Sequence, residues 1–528
     1  MKLNYKRTIF VGFAFFLITA FWQAYDTIVP KILTDKFGLA QTWSGAIMAL
    51  DNIFALFLLP IFGAISDKVN SKYGRRTPFI VIGTVLAAAL LVTLSFTDRA
   101  QLRQLEAVSG TEGAAYEEAL GTIWDANPKV SVATEGGVLS TEKPLQETIS
   151  RKDFLSIPFT VTDADGKEIT NPDYTNVVVP ARQAYAAGVT DKNPAPLICF
   201  MAVLFLALLA MGTFRSPAVA LMPDVTVKPL RSKANAIINL MGTAGGILVL
   251  LLGTFMGTGK TKNALMDYTV FLSIVAGIML VALAIFLFKV REKKWAAEME
   301  ADSLKLAPEE ETPADGMEKR KLTRAERISL FLILASVVLW FMGYNAVTTK
   351  YSVYAGTVLN VDYNTTLLIA QAAAVVAYLP VGILSSKLGR KKMILAGVVI
   401  LASSFFFAGF LSAESPEAVK NLLMPLLFAL AGIGWATINV NSYPMVVELA
   451  RGGDVGRYTG FYYTASMAAQ VVTPVLSGLL LDHVSWRTLF PYATVFVVGA
   501  FFTMLFVRHG DAKPIAKDTV LDGLGGTD

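Results

Sequence analysis

The sequence predicts an all-α membrane protein with twelve transmembrane helices in two pseudo-symmetric six-helix bundles. Three observations predict it. Runs of about 20 apolar residues recur along the chain, each long enough to cross a hydrocarbon core of ~30 Å as a helix. With 528 residues, 54% apolar and 16% charged, and a mean hydropathy of +0.53, the chain is too apolar and too long for one soluble core. One short loop is also written twice, as Gly63-Ala64-Ile65-Ser66-Asp67-Lys68 followed by Gly74-Arg75-Arg76, and as Gly382-Ile383-Leu384-Ser385-Ser386-Lys387-Leu388-Gly389-Arg390-Lys391-Lys392. A small-residue helix end, a sharp turn and a basic cluster at the same place in two apolar halves mark a duplication.

Taken in order, the apolar runs lie near residues 8–29, 43–66, 77–96, 196–221, 235–257, 268–289, 327–349, 364–386, 392–412, 422–446, 458–481 and 489–508. The first follows Lys2, Lys6 and Arg7 as a signal peptide would. No small-residue cleavage site follows it, and Trp22, Asp26 and Pro30 continue the segment, so it is expected to remain as a span. Residues 97–195, between the third and fourth runs, are polar and are expected to form a small extracytoplasmic inserted domain. Within it Ala114-Ala115-Tyr116-Glu117-Glu118-Ala119-Leu120 reads as helix, and Phe159-Thr160-Val161-Thr162 with Glu168-Ile169-Thr170 flank Asp165-Gly166 as a hairpin would. Asp163-Ala164-Asp165-Gly166 has only part of a calcium-loop pattern and reads as a plain turn. Residues 290–326, with Glu309-Glu310-Glu311-Thr312-Pro313 and Lys319-Arg320-Lys321, read as a solvated linker with helical portions. The expected divisions are therefore 1–96, 97–195, 196–289, 290–326, 327–508 and a cytoplasmic tail at 509–528.

Charge sets the expected orientation. Lys68, Lys72, Arg75, Arg76, Lys228, Arg231, Lys233, Arg390, Lys391, Lys392, Arg451 and Arg457 fall in alternate short loops, on the same side as Lys2, Lys6 and Arg7. Both termini are thereby expected to be cytoplasmic, in a cell membrane. This asymmetry accounts for the net charge of +5, leaving no case for a nucleic-acid partner. Cys199 is the only cysteine, and the two histidines, His483 and His509, lie at a helix end and in the tail. No disulfide within the chain, metal centre or cofactor is expected, nor is an enzyme, since no nucleophile constellation stands out.

The duplication extends past the loops. Tyr25-Asp26-Thr27-Ile28-Val29-Pro30-Lys31 aligns without a gap to Tyr344-Asn345-Ala346-Val347-Thr348-Thr349-Lys350, and Met222-Pro223-Asp224 aligns to Val446-Val447-Glu448. Ionisable groups inside apolar runs are costly and usually face a cavity or a partner. Asp26, Asp51 and Arg215 are such groups. Asp26 is one turn from Trp22 and beside Tyr25, a pairing of acceptor and ring that suits a sugar. It equally fits a solvated helix end or a pair with Lys31. Asp51 is placed for protonation in a low-dielectric site, or for a bond to a neighbouring helix. Arg215 fits a partner to one of these aspartates or a holder of substrate hydroxyls, or a side chain extended to the cytoplasmic surface near Asp224.

Gln23, Tyr344, Asn345, Gln371, Asn439, Asn441 and Gln470, with Trp340 and Trp435 as stacking surfaces, complete a polar cavity as a set. Two loop clusters read as a cytoplasmic gate: Asp67 with Arg75 and Arg76, and Glu448 with Arg390 and Arg457. Gly63, Gly74, Gly389 and Asp224 belong to the same loops.

These features resemble the major facilitator superfamily across the chain, outside 97–195 and the tail. The stretch from Ser66 through Asp67, Gly74, Arg75, Arg76 and Pro78 to Ile80 is similar to the loop of sucrose and related transporters among the glycoside-pentoside-hexuronide cation symporters. Ala220-Leu221-Met222-Pro223-Asp224, Arg231-Ser232-Lys233-Ala234-Asn235-Ala236 and Asn441-Ser442-Tyr443-Pro444 resemble the same group. The resemblance implies proton-coupled uptake of a disaccharide or other small glycoside by a monomer working through alternating access. Plant members place an arginine where this chain has Val219, the nearest here being Arg215. An exporter of amphipathic compounds, or a receptor using residues 97–195, are the competing expectations. Ser386 stands where the first loop has Asp67, so the gate is expected to depend more on the first loop.

Overall fold

The computed structural model describes residues 3–133, 140–162, 168–171, 173–258, 263–306, 322–355, 359, 363–412, 415–450 and 454–511. Among these, eleven helices are long and apolar enough to cross a membrane, and Leu489–Leu505 is a shorter apolar helix of 17 residues. In chain order the first half contains α1 (Tyr5–Lys31), α2 (Leu50–Lys68), α3 (Thr77–Gln104), α4 (Ala195–Asp224), α5 (Arg231–Met256) and α6 (Thr269–Lys289). The second contains α7 (Arg324–Tyr354), α8 (Tyr363–Leu388), α9 (Arg390–Ala408), α10 (Glu417–Val447), α11 (Val455–His483) and α12 (Leu489–Leu505). Helices are the form that satisfies backbone hydrogen bonds without water.

The same partners recur in each half. α1 packs on α5 and α6, α3 on α4 and α6, and α2 on α4; α7 packs on α11 and α12, α9 on α10 and α12, and α8 on α10. The halves meet along α2 with α11 and along α5 with α8, which are equivalent pairings. Each interface therefore joins the second helix of one half to the fifth of the other.

The second span begins earlier than α2, as Gln41–Met48, and is interrupted at Ala49. Asp51 consequently lies in the first turn of α2 rather than deep within a continuous helix. α3 extends to Gln104, past the predicted boundary, because its last polar residues have buried partners. Asp98 pairs with Lys36 at 2.7 Å, both side chains fully buried, and Gln101 donates to the Lys36 carbonyl at 2.9 Å and to Thr190 at 3.0 Å.

The segment between α3 and α4 has its own apolar core, including Leu120, Ile123, Phe154 and Tyr174. It contains the helix Gly113–Ala126 and two antiparallel pairs, β1 (Lys129–Ala133) with β2 (Ser140–Pro144) and β3 (Thr160–Thr162) with β4 (Glu168–Thr170). Residues 163–167, which include the acidic turn, lie outside the described residues. The helix Val179–Lys192 docks this segment onto the end of α1, with Gln183 donating to Asp35 at 2.8 Å and Thr190 to the Phe37 carbonyl at 2.9 Å. Gly38, at φ +67°, makes that approach possible, since a Cβ there would stand 2.2 Å from the Ala187 nitrogen.

The start of the linker is packed rather than free. A helix, Glu292–Leu306, follows α6, with Trp295 buried beneath the Arg7 guanidinium at 5.2 Å and Glu298 paired to Arg7 at 2.5 Å. Residues 307–321, with both linker charge runs, are outside the described residues, as are Lys2 and Arg451.

Candidate functional site

At the basic-loop end, Arg76 is fully buried and bridges two acids of its own half. It donates to Asp224 at 2.7 Å, to Asp67 at 2.5 Å and to the Ser66 hydroxyl. Burial opposes its charge, but Asp224 and Asp67 outweigh that and hold its pKa above the ordinary arginine value. Asp67 then reaches the other half, accepting N–H groups of Gly456 at 2.8 Å and Arg457 at 2.9 Å. These open α11, where the helix dipole favours an anion. Gly63 and Gly456 bring the backbones together: a Cβ on Gly63 would lie 2.1 Å from the Gly456 carbonyl oxygen.

The second cluster is built on Glu448, which pairs with Arg390 at 2.8 Å and with Arg231 and Lys228 at 3.6 Å each. Arg390 also crosses between halves, donating to Ser232 at 3.0 Å and to the Lys228 carbonyl. Two expected pairings are thus corrected. Arg457 meets Asp67 through its backbone, its side chain lying over Phe461 at 5.4 Å, because Arg231 and Lys228 already face Glu448. Arg75 joins no ion pair among the described residues; its N–H bonds Glu292 at 2.6 Å. Both clusters span the halves, while Ser386, in the place of Asp67, donates to the Gly382 carbonyl of its own helix at 3.1 Å.

Glu292 is inconspicuous in the sequence, one acid among several at the start of the linker. Its buried carboxylate accepts N–H groups of Arg75, Arg76 and Thr77 and the Thr77 hydroxyl, capping the start of α3. Asp511 does the same for α9, accepting N–H groups of Arg390 at 2.7 Å and Lys391 at 3.3 Å. Each carboxylate comes from the segment after the sixth helix of its half. Gly74 (φ +122°) and Gly389 (φ +92°) stand directly beneath these carboxylates. Left-handed φ favours glycine, and a Cβ on Gly74 would lie 2.2 Å from the Glu292 carboxyl carbon.

Deeper between the halves, Arg215 of α4 lies between two rings, 5.3 Å from Trp22 of α1 and 5.2 Å from Tyr463 of α11. Tyr463 belongs to the other half and was missed in the sequence. Asp26, exposed, and Asp51, half-buried, lie within Coulomb range of Arg215 and of each other. Neither acid forms a direct ion pair with it among the described residues. Lys31 is directed away from Asp26 to the Thr258 carbonyl, and Asp224 is engaged by Arg76. Trp22 and Tyr25 meet edge to face at 5.2 Å, and both the Trp22 Nε1 and the Tyr25 hydroxyl are buried with no protein partner.

On the other half, Tyr344 stacks flat on Trp435 at 3.8 Å, and Asn345 Nδ2 and Asn441 Oδ1 are likewise unpartnered. Gln371 is exposed, Asn439 is half-buried, and Gln470 donates weakly to its own helix at 3.5 Å. Two expected lining residues are placed elsewhere. Trp340 is fully buried in the core, and Gln23 turns toward α5, its Oε1 standing 3.4 Å from where a Cβ on Gly246 would be. His509 bonds Ser329 at 3.1 Å, and Cys199 is exposed.

Two six-helix halves with charged clasps at one end and ionisable groups between them define a membrane transporter rather than an enzyme. The family described as the Major Facilitator Superfamily matches residues 184–377 and 363–521, and the family described as MFS/sugar transport protein matches residues 10–102. The chain belongs to the major facilitator superfamily. A stretch of 50 residues is 42% identical to the sucrose transport protein SUC4 of Arabidopsis thaliana, covering 10% of each chain. Another of 114 residues is 34% identical to the chloramphenicol resistance protein CraA of Acinetobacter baumannii, covering 22% of this chain and 26% of that one. The chain spans from 10 to 26% of the length of these and the other leading curated relatives. The proton:xylose symporter XylE, bound to a bromodeoxyglucose, is similar in fold over 96% of this chain and 97% of its own, with TM-score 0.57 and 14% identity.

Proposed function

We propose that the protein is a proton-coupled symporter of a sugar, a disaccharide or other small glycoside, working by alternating access as a monomer in the cell membrane. The observation that carries this reading is the grouping of Asp26, Asp51 and Arg215 between the halves, beside Trp22 and Tyr463. Carboxylates near a permanently charged guanidinium gain or lose a proton as that cation moves further away or closer. The rings and the unpartnered polar atoms of Trp22, Tyr25, Asn345 and Asn441 suit the apolar faces and hydroxyls of a sugar. Similarity to a sucrose transport protein and to a proton:xylose symporter supports the same substrate class.

In this reading Asp26 and Asp51 share the proton role and Arg215 couples it to substrate. Trp22, Tyr25, Tyr344, Asn345, Gln371, Asn439, Asn441 and Gln470 face the substrate path. Alternating basic loops support both termini being cytoplasmic and the inserted domain being outside. The clasped end is then the cytoplasmic end, closed here.

Proteoliposomes carrying an imposed pH gradient test this with a panel of sugars. A transported sugar should drive proton uptake, and Asp51→Asn should retain sugar exchange while losing accumulation; full accumulation by that variant removes Asp51 from the coupling role. A second reading, export of amphipathic compounds, is favoured by the similarity to a chloramphenicol resistance protein. It predicts protection of cells from chloramphenicol and no sugar-driven proton flux.

A further inference from the structure

Proline inside a helix leaves the carbonyl four residues earlier without its usual donor. Three such carbonyls lie at the interface between the halves, and in each case the donor comes from the opposite half. Pro223 of α4 frees the Val219 carbonyl, which accepts from the Tyr443 hydroxyl of α10 at 3.1 Å. Pro444 of α10 frees the Val440 carbonyl, which accepts from Asn235 Nδ2 of α5 at 3.0 Å, the same amide also reaching the neighbouring Asn439 carbonyl at 3.1 Å. Pro60 of α2 frees the Leu56 carbonyl, which accepts from the Thr464 hydroxyl of α11 at 3.2 Å.

We infer that Tyr443, Asn235 and Thr464 are positioning residues that latch the two halves, each through a carbonyl that proline has released from its own helix. A side-chain donor aimed at a regular helix meets a carbonyl already engaged by the residue one turn on. At these three positions the carbonyl is open to one strong bond. Val219, Val440, Tyr443 and Asn235 are all buried; separating the halves leaves the Val219 and Val440 carbonyls unpaired until water enters, while the Tyr443 hydroxyl keeps its bond to Thr459 at 3.0 Å within its own half. The cost is met at the moment of opening, which makes the bonds a barrier and a bias toward the state closed at the loop end. This inference rests on the alternating-access reading, and extends it from charged loops to the middle of the interface.

The distinguishing test is a double-mutant cycle read by distance rather than transport. Spin labels on Lys72→Cys and Lys392→Cys, both exposed at the loop end, in a Cys199→Ser background report the fraction of molecules open there. Tyr443→Phe should raise the open-to-closed ratio roughly fivefold, the worth of one ordinary hydrogen bond. In a Pro223→Ala background the helix supplies its own N–H to Val219, so Tyr443→Phe should then change the ratio little. An equal shift in both backgrounds, or none in either, overturns the inference. If Pro223→Ala fails to fold, the same cycle runs with Thr464→Val and Pro60→Ala: a shift confined to the proline background supports the latch, and an equal shift or none overturns it. No sugar or proton gradient enters the measurement, so it stands or falls independently of the substrate assignment.

Discussion

The carboxylate of Glu292 occupies the space that a side chain on Gly74 would need: a Cβ there would lie 2.2 Å from its carboxyl carbon. The glycine in the repeated loop is thus required twice, for its φ of +122° and for the approach of a cap from beyond the sixth helix. Gly74→Ala should lower the melting temperature of the purified protein markedly, since backbone strain of about 1–3 kcal/mol adds to loss of the cap. Gly389→Ala should be milder, because the nearest Asp511 oxygen stands 3.0 Å from the would-be Cβ. Equal losses in thermal unfolding would count against this ordering.

Asp67 carries the contact from the first half to the start of α11, so its charge matters more than its shape. Asp67→Asn keeps an acceptor but removes the charge from the helix terminus and from Arg76. Arg76 retains Asp224, and the fold should survive. The closed state should weaken by about 1–2 kcal/mol, roughly a fivefold to thirtyfold rise in the open-to-closed ratio. Alkylation of a cysteine introduced near the clasp would measure it; an unchanged rate would mean that the loop end is held without Asp67.

The twelve-span layout was legible because a membrane imposes a single demand, long apolar runs, that any window of sequence displays. The repeated loop was legible because its residues are contiguous. Its caps were not, since Arg75 and Glu292 are 217 residues apart and neither stands out in composition. Asp26, Asp51 and Arg215 could be chosen because charge in an apolar run is conspicuous, whereas Tyr463 is one tyrosine among 17. Pairing of Glu448 with Arg231 and Lys228 rather than Arg457 depends on how the halves meet. The prolines were visible, but which side chain fills each freed carbonyl is decided only by packing between halves.

Glu448 sets a limit on where pH can act. Burial favours its neutral form, but Arg390, Arg231 and Lys228 outweigh that and hold its pKa below the ordinary glutamate value. A depressed native pKa contributes stability that is present above the ordinary value of about 4.3 and lost only as pH falls through the lower native one. The Glu448 clasp should therefore stay charged and closed throughout pH 5–8. Glu448→Gln should loosen the loop end by a similar factor at pH 5.5 and pH 7.5 in the distance measurement. A change in that factor across this range would show that Glu448 itself titrates there. Any pH dependence of transport near neutrality then belongs to groups other than Glu448.

In the proposed symport, Arg215 is where proton coupling would meet substrate. Its guanidinium lies between Trp22 and Tyr463, one ring from each half, so the cation is positioned by both halves at once. A planar guanidinium stacks on aromatic faces in a way that a compact ammonium does not. Arg215→Lys keeps the charge near Asp26 and Asp51 while losing most of that stacking, worth about 0.5–2 kcal/mol. Affinity should fall roughly threefold to thirtyfold while accumulation at saturating substrate remains, because the charge that opposes the carboxylates is still present. Arg215→Gln removes the charge as well, and should abolish accumulation while leaving exchange. Measuring half-saturation and steady-state accumulation for both variants separates the two roles. If Arg215→Lys abolishes accumulation, stacking and coupling are inseparable; if Arg215→Gln accumulates normally, the arginine has no part in coupling.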